Sequence, residues 1–512
     1  MKALKARDHR ALGATTASIL SPLATLPRGC GRPRGMKKFT MYVLAAAAIA
    51  GATWSLPATA GSLYWASDAA CDNGSWDTTT VCWSAASGGS ATSGAPVTGD
   101  DAYLTESDAV NRTVTYNDTY TSPGLNSLTI DATGTGTMTF QQSANSLAAF
   151  NETIGKAGTG TFTQSGGTNT VSGGGLVLGV NTGSTGNYTL SNGTLNFGNS
   201  NYNIGFNGTG TFIQSGGTNT VGSGGMILGV ETGSIGNYTL SGGTLTVGSS
   251  LSAAYEGIGD LGAGTFTQSG GTNTMVGSSG MELGAGTGSS GNYTLSGGTL
   301  NVGVGGITTG TGTSSLIIDG GTLSVGGGNG SINVTNFTVG DAGGTGNYTL
   351  SGSGTLIAGY EYVGAIGTGI FTQNGGTNAA TNKLEVADSG NGSYALSAGG
   401  LTTGWEVVGN GGNGIFTQSG SSTNTVGSNG LTVGENGGTG NFALSGGILS
   451  APVELIGFVT NGTGTFTQIG GTNTVGGSGL ILGDDSSSTG TYNLSNAGSS
   501  LTAATEIIGS AG

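Results

Sequence analysis

Gly160-Thr161-Phe162-Thr163-Gln164-Ser165-Gly166-Gly167-Thr168-Asn169-Thr170 is the phrase on which the fold turns. Near-identical copies centre on Phe212, Phe266, Phe371, Phe416 and Phe466. Their steps are about 50 residues, with one double step between Phe266 and Phe371. Between them runs a second phrase, Gly186-Asn187-Tyr188-Thr189-Leu190-Ser191-Asn192-Gly193-Thr194-Leu195. It recurs at Tyr238, Tyr293, Tyr348, Tyr394, Phe442 and Tyr492. The two phrases align on each other, so the period is a pair of related units of about 25 residues.

Each unit has one anatomy. Thr161 to Gln164 alternates residue types as a strand does. Ser-Gly-Gly supplies a turn. A second run, Thr168 to Val171, follows, and a third ends in an apolar residue and glycine, as in Leu176-Val177-Leu178-Gly179. Three short strands and three turns make one coil. A coil this small cannot bury its apolar face alone, but stacked coils share a continuous core and pair strand to strand. The expected fold is all-β: a β-solenoid (parallel β-helix) of about 15 coils of ~25 residues, a rod of roughly 70 Å. The repeat is expected to fill 134–512, and a Trp- and Cys-containing segment, 61–133, to cap it. Gly at 109 of 512 residues, with no long helical pattern outside the leader, excludes a helical fold. A propeller with 50-residue blades is the main rival, and the 25-residue sub-period argues against it.

The start of the chain reads as an address. Met36-Lys37-Lys38, an apolar run from Met41 to Ala52, and Ala58-Thr59-Ala60 form a secretory signal over 36–60, with cleavage after Ala60. Residues 1–35 read as an upstream extension with Met36 the true start; an extended signal peptide is the alternative. The apolar run is too short to span a bilayer. Nine of the twelve Lys and Arg lie before residue 61, which leaves Arg112, Lys156 and Lys383 against 25 acidic residues, a formal charge of 3 − 25 = −22. That acidity disfavours nucleic acid and anionic lipid as partners. Export also suits a Cys71–Cys82 disulfide.

The aromatic-Thr-x-Ser-Gly-Gly-Thr-Leu…Ile-Gly cadence resembles the repeat of type V secretion (autotransporter) passengers and of PEP-CTERM surface proteins. The likeness covers roughly residues 134–512. Trp65, Gly74-Ser75-Trp76, Trp83 and Pro96-Val97-Thr98-Gly99-Asp100-Asp101-Ala102 resemble the opening of such passengers. The resemblance implies a secreted or cell-surface rod, with an outer-membrane association by the autotransporter route. The chain stops in mid-repeat at Gly512 with neither a barrel nor a Pro-Glu-Pro tail, so the repeat domain is expected to be incomplete and the route is unassigned.

Chemistry is sparse. The only His, His9, lies in the leader, so Ser-His-Asp catalysis and His-ligated metals are excluded beyond residue 60. No cofactor and no catalytic residue is expected. Asp100-Asp101 and Asp484-Asp485 are adjacent, and neighbours on a strand face opposite ways. Glu152, Glu256, Glu361, Glu406, Glu454 and Glu506 stand at one place before a closing glycine. They are expected to form an acidic stripe, at two-coil spacing of about 10 Å. Such a stripe would bind divalent cations or a basic partner, or be a solvated band that blocks lateral aggregation. Gln164, Gln214, Gln268, Gln373, Gln418 and Gln468, with Asn169, Asn219, Asn273, Asn378, Asn424 and Asn473, are expected to be amide ladders stiffening turns. A Thr file, Thr163, Thr189, Thr239, Thr267, Thr294 and Thr349, reads as β-propensity on a solvent face, interrupted at Ile213, Ala395, Ala443 and Asn493.

The expectation is a structural surface protein, not an enzyme, that makes adhesion or extracellular-matrix contacts with a host surface, a polysaccharide or divalent cations. The alternatives are a carbohydrate-active β-helix lyase or hydrolase, and an ice- or mineral-binding solenoid.

Overall fold

A computed structural model describes residues 60–76, 81–121, 124–199, 201–249 and 254–509. The expected extension (1–35) and signal peptide (36–60) lie, except for Ala60, outside these residues. The described chain is a β-solenoid of about 17 turns. One regular coil runs Thr185–Leu190, Thr194–Phe197 and Tyr202–Ile204. The next runs Thr209–Gln214, Thr218–Val221 and Met226–Leu228. Each strand pairs in parallel with its counterpart, as in Tyr188↔Phe212, Leu195↔Asn219 and Ile204↔Leu228.

Strand alternation sorts every side chain. In the first strand Gly160, Phe162 and Gln164 point in and Thr159, Thr161 and Thr163 point out. The aromatics therefore stack up the core, with centroids 4.9 Å apart for Tyr188–Phe212, 4.8 Å for Phe212–Tyr238 and 4.7 Å for Tyr238–Phe266. Two glycine files close the corner between third and first strands. A Cβ on Gly186 would lie 2.2 Å from the Ile154 carbonyl oxygen. Gly179, at φ +66°, would bring one to 2.3 Å from the Thr209 oxygen. The glycine in each phrase is thus fixed by close backbone approach.

The stack starts earlier than the repeat. Ser62–Trp65 pairs in parallel with Asp101–Glu106, and that strand with Leu125–Ala132. Arg112–Tyr116 pairs with Met138–Gln142. Segment 61–133 therefore holds the first coils, which is why there are more than the expected 15. The same segment also closes the end. Trp65, Trp76 and Trp83 are buried and meet edge to face, 5.1 and 4.7 Å apart. Cys71 and Cys82 are disulfide-bonded, with their Cα atoms 5.6 Å apart.

The double step between Phe266 and Phe371 is a joint. Leu316 takes the aromatic place beside Tyr293. A short 3₁₀ turn, Gly326–Gly328, precedes Ser331–Val339, whose halves pair with different strand files: Ile332 with Ile307, Phe337 with Leu316. Rings here cross instead of stacking, at 69° for Phe337–Tyr348. Stacking resumes at Phe371–Tyr394, 4.5 Å apart.

Candidate functional site

The expected acidic stripe is not on the surface. Glu152, Glu256, Glu361, Glu406 and Glu454 are at most 1% exposed. They share one inward file of third-strand positions with Leu176, Met226, Leu384 and Leu431. Glu506 occupies the same register place beside Leu480, and is exposed because no later described coil covers it. The sequence does not reveal parity: a Glu three residues before the glycine looks like a surface residue until the Gly-Gly corner fixes which alternate positions face in. Buried carboxyls cannot serve as a solvated band or meet a cation from solvent, so both forms of the stripe reading fail for these five.

The amides point inward; Gln164, Gln214, Gln268 and Gln468 also donate to the glycine carbonyl of their own turn, as expected, while the Asn side chains bond Glu and Tyr instead. Each Glu belongs to a cross-coil group. Asn169 Nδ2 donates to Glu152 Oε2 at 3.0 Å and to Tyr188 Oη at 3.3 Å. Tyr188 Oη donates to Gln164 Oε1 at 2.6 Å, and Gln164 Nε2 donates to the Thr194 carbonyl at 3.0 Å. The pattern recurs with Glu256, Asn273, Tyr293 and Gln268, then with Glu361, Asn378, Tyr394 and Gln373, and again with Glu454, Asn473, Tyr492 and Gln468. The alternation of Phe/Gln/Asn coils with Tyr/Leu/Glu coils is thus a polar network threaded through an apolar core.

Burial pushes the Glu152 and Glu454 carboxyls up to about 7 and those of Glu256, Glu361 and Glu406 up to about 8, while the Asn amide pulls each one back. A protonated carboxyl has an O–H to give. The buried Oδ1 atoms of Asn169, Asn273, Asn378, Asn424 and Asn473 otherwise lack a donor. One group has no Glu: Tyr202, another neutral hydroxyl, stands in the file beside Leu176 and Met226, in the group of Asn219, Tyr238 and Gln214. These positions accept a neutral O–H group.

The outer face carries a second cluster, which the sequence reading missed. Tyr360 pairs with Lys383, and Trp405 lies one coil further, its carbonyl accepting from Leu384 N at 2.8 Å. Lys383 Nζ stands 4.5 Å from the Trp405 ring centre and 2.7 Å from Glu385 Oε2. Trp405 Nε1 donates to Thr432 Oγ1 at 3.4 Å. Asn410 Nδ2 donates to Glu385 Oε1 and Asp388 Oδ1, and Asn410 Oδ1 accepts from Asn436 at 2.8 Å. Burial raises the Asp388 and Glu435 carboxyls; Lys383 opposes this in both. Beside the cluster opens a groove of about 490 Å³ lined by Tyr360, Lys383, Trp405 and polar neighbours. The available signal was composition: Trp405 is the only Trp after Trp83, and Lys383 is one of three basic residues past residue 60.

The Thr file faces outward: Thr163, Thr189 and Thr239 are half-buried, and Thr349 is exposed. Among the described residues no helix is long and apolar enough to cross a membrane, and no group of three or more His, Cys, Asp or Glu is placed to hold a metal. No family model, curated protein or solved structure matches the chain.

Proposed function

We propose that the chain is a secreted or cell-surface structural rod whose lateral faces make adhesion or matrix contacts. The observation that carries this reading is the inward direction of the repeating Glu, Gln, Asn and Tyr side chains. Their polar groups bond to one another in the core. The repeats thereby supply length and stiffness, and contact falls to the outward Thr, Ser and Asn positions and to irregular coils. The resemblance to autotransporter and PEP-CTERM repeats supports the same reading. The test is retention of beads coated with the purified chain on matrix-coated or cell-coated surfaces under flow. Retention well above albumin-coated beads is expected, and equal retention on every surface would refute the proposal.

A second reading, a carbohydrate-active enzyme, draws on the outer Glu385, Asp388 and Glu435 carboxyls. It requires release of reducing ends or unsaturated products from a polysaccharide, abolished by Glu385→Gln. Turnover of that kind would replace the structural reading.

A further inference from the structure

We infer that the outer corner between second and third strands, from Tyr360 to Thr474, is a binding groove for a neutral, hydroxyl-rich polysaccharide chain lying along the rod axis. The inference rests on the surface-contact reading and names its ligand. The groove at Tyr360, Lys383 and Trp405 continues through Ser428 into a second, of about 400 Å³, lined by Ser450, Pro452 and Thr474. Together they cross six successive coils, about 24 Å at ~4.8 Å per coil. A compact ligand would need a closed pocket; an open trough running across coils fits a polymer.

The lining matches sugar chemistry. Tyr360 is 39% exposed and Trp405 is half-buried, so aromatic faces and edges are offered to the C–H faces of pyranose rings. Asn382, Ser428 and Asn429 are exposed amide and hydroxyl groups able to donate to and accept from sugar hydroxyls. Trp405 is held from below by Thr432, and Lys383 is held by Glu385, so the platform is ordered before a ligand arrives. Charge sets the class. Lys383, the one charged residue lining the two grooves, is already paired with Glu385 at 2.7 Å, so it leaves no free cation for the carboxylates or sulfates of an acidic polymer. The corresponding corner of earlier coils carries a lesser trough at Tyr255 and Glu282, without Trp or Lys. It provides an internal control.

The experiment is affinity electrophoresis of the purified full chain through gels containing a soluble neutral glucan, a galactomannan, or polygalacturonate. Retardation by a neutral polymer and none by polygalacturonate is expected. Trp405→Ala and Tyr360→Ala should each weaken it by roughly tenfold, and Tyr255→Ala should leave it unchanged. Asn429→Ala, an exposed change, tests the groove if Trp405→Ala perturbs its coil. Absence of retardation by any neutral polymer overturns the inference, as does retardation unaffected by Tyr360→Ala and Asn429→Ala together. Preference for polygalacturonate overturns the neutral class. Bead retention on cells or matrix that survives these groove variants would sink the groove alone and leave the surface-rod reading standing.

Discussion

Glu361 and Glu385 lie on adjacent coils of the same third-strand file, one place apart in register, and they live in different chemistry. Glu361 pairs with Leu384 and faces the core; Glu385 pairs with Tyr362 and faces out. Inside, Glu361 has an amide partner, Asn378, at 2.9 Å and its carboxyl is pushed up to about 8 by burial. Outside, Glu385 has an ammonium partner, Lys383, at 2.7 Å. A single step of strand parity moves a buried acid from an ammonium partner under the outer face to an amide partner in the core. The core tolerates the acid because it can be neutral there and because each of the five buried Glu has an Asn donor from a neighbouring coil.

The largest test of that contrast is pH. An acid whose folded pKa lies above its unfolded value binds more protons in the folded state. Stability from the five core carboxyls is therefore full below about 4.5, declines as pH rises, and is lost as pH passes through about 7 to 8. Each carboxyl contributes on the order of 3 kcal/mol locally. The urea midpoint followed by circular dichroism should fall markedly between pH 5 and pH 9. Glu361→Gln keeps a neutral donor and should flatten its share of that slope. A midpoint rising over the same range would mean the core carboxyls are stabilised as anions. The first coils behave oppositely at the acid end: the Arg112 hydrogen bond holds Asp108 down at about 2, so that contribution is present above the ordinary carboxylate range and disappears as pH falls through about 2.

The next effect is single deletion against paired replacement. Asn378→Leu leaves Glu361 and Tyr394 short of a partner and should cost about 3 kcal/mol. Adding Glu361→Leu, the residue type of neighbouring coils at that place, should recover most of the loss, because a matched apolar pair has nothing left unsatisfied. On the outer face, Glu385 is only 3% exposed and holds both Lys383 and Asn410, so Glu385→Ala should cost a similar amount, about 3 kcal/mol. Chemical denaturation of the four proteins at pH 6 measures this. A double variant as unstable as Asn378→Leu would show that the acid itself, and not the match, is required.

The sequence carried the fold because it repeats. Phe162 to Phe466 and Tyr188 to Tyr492 marked coil length, strand count and parallel stacking without any long-range reasoning. The site was less legible because its meaning depends on parity and on neighbours one coil away. Glu152 bonds to an Asn 17 residues later, and Tyr188 to a Gln 24 residues earlier. Neither spacing is a local motif. Reading Glu as a surface residue followed its usual preference; for Gln and Asn, the alternation with Leu at the same places left their direction open. The outer cluster arises from departures from the repeat, at Tyr360, Lys383 and Trp405, which a period-seeking reading averages away.

The smallest effect is also the most specific. One group lacks its phenol: Phe442 stands where Tyr394 and Tyr492 stand, stacked 4.6 Å from Phe416. Its neighbours register the loss. Asn424 still donates to Glu406 at 3.0 Å, but Gln418 Oε1 is buried without a donor, whereas Gln373 Oε1 accepts from Tyr394. Phe442→Tyr would place a hydroxyl to donate to Gln418 Oε1 and accept from Asn424, on a ring already held in the stack. The gain should be about 1 kcal/mol, one net buried hydrogen bond, read as a higher urea midpoint at pH 6. Gln418→Leu in the same background should cancel it, since the hydroxyl would then face an apolar side chain. If Phe442→Tyr is destabilising and Gln418→Leu does not alter its effect, the cross-coil groups are packing devices and not hydrogen-bonded units. Inner and outer faces would then differ by shape alone.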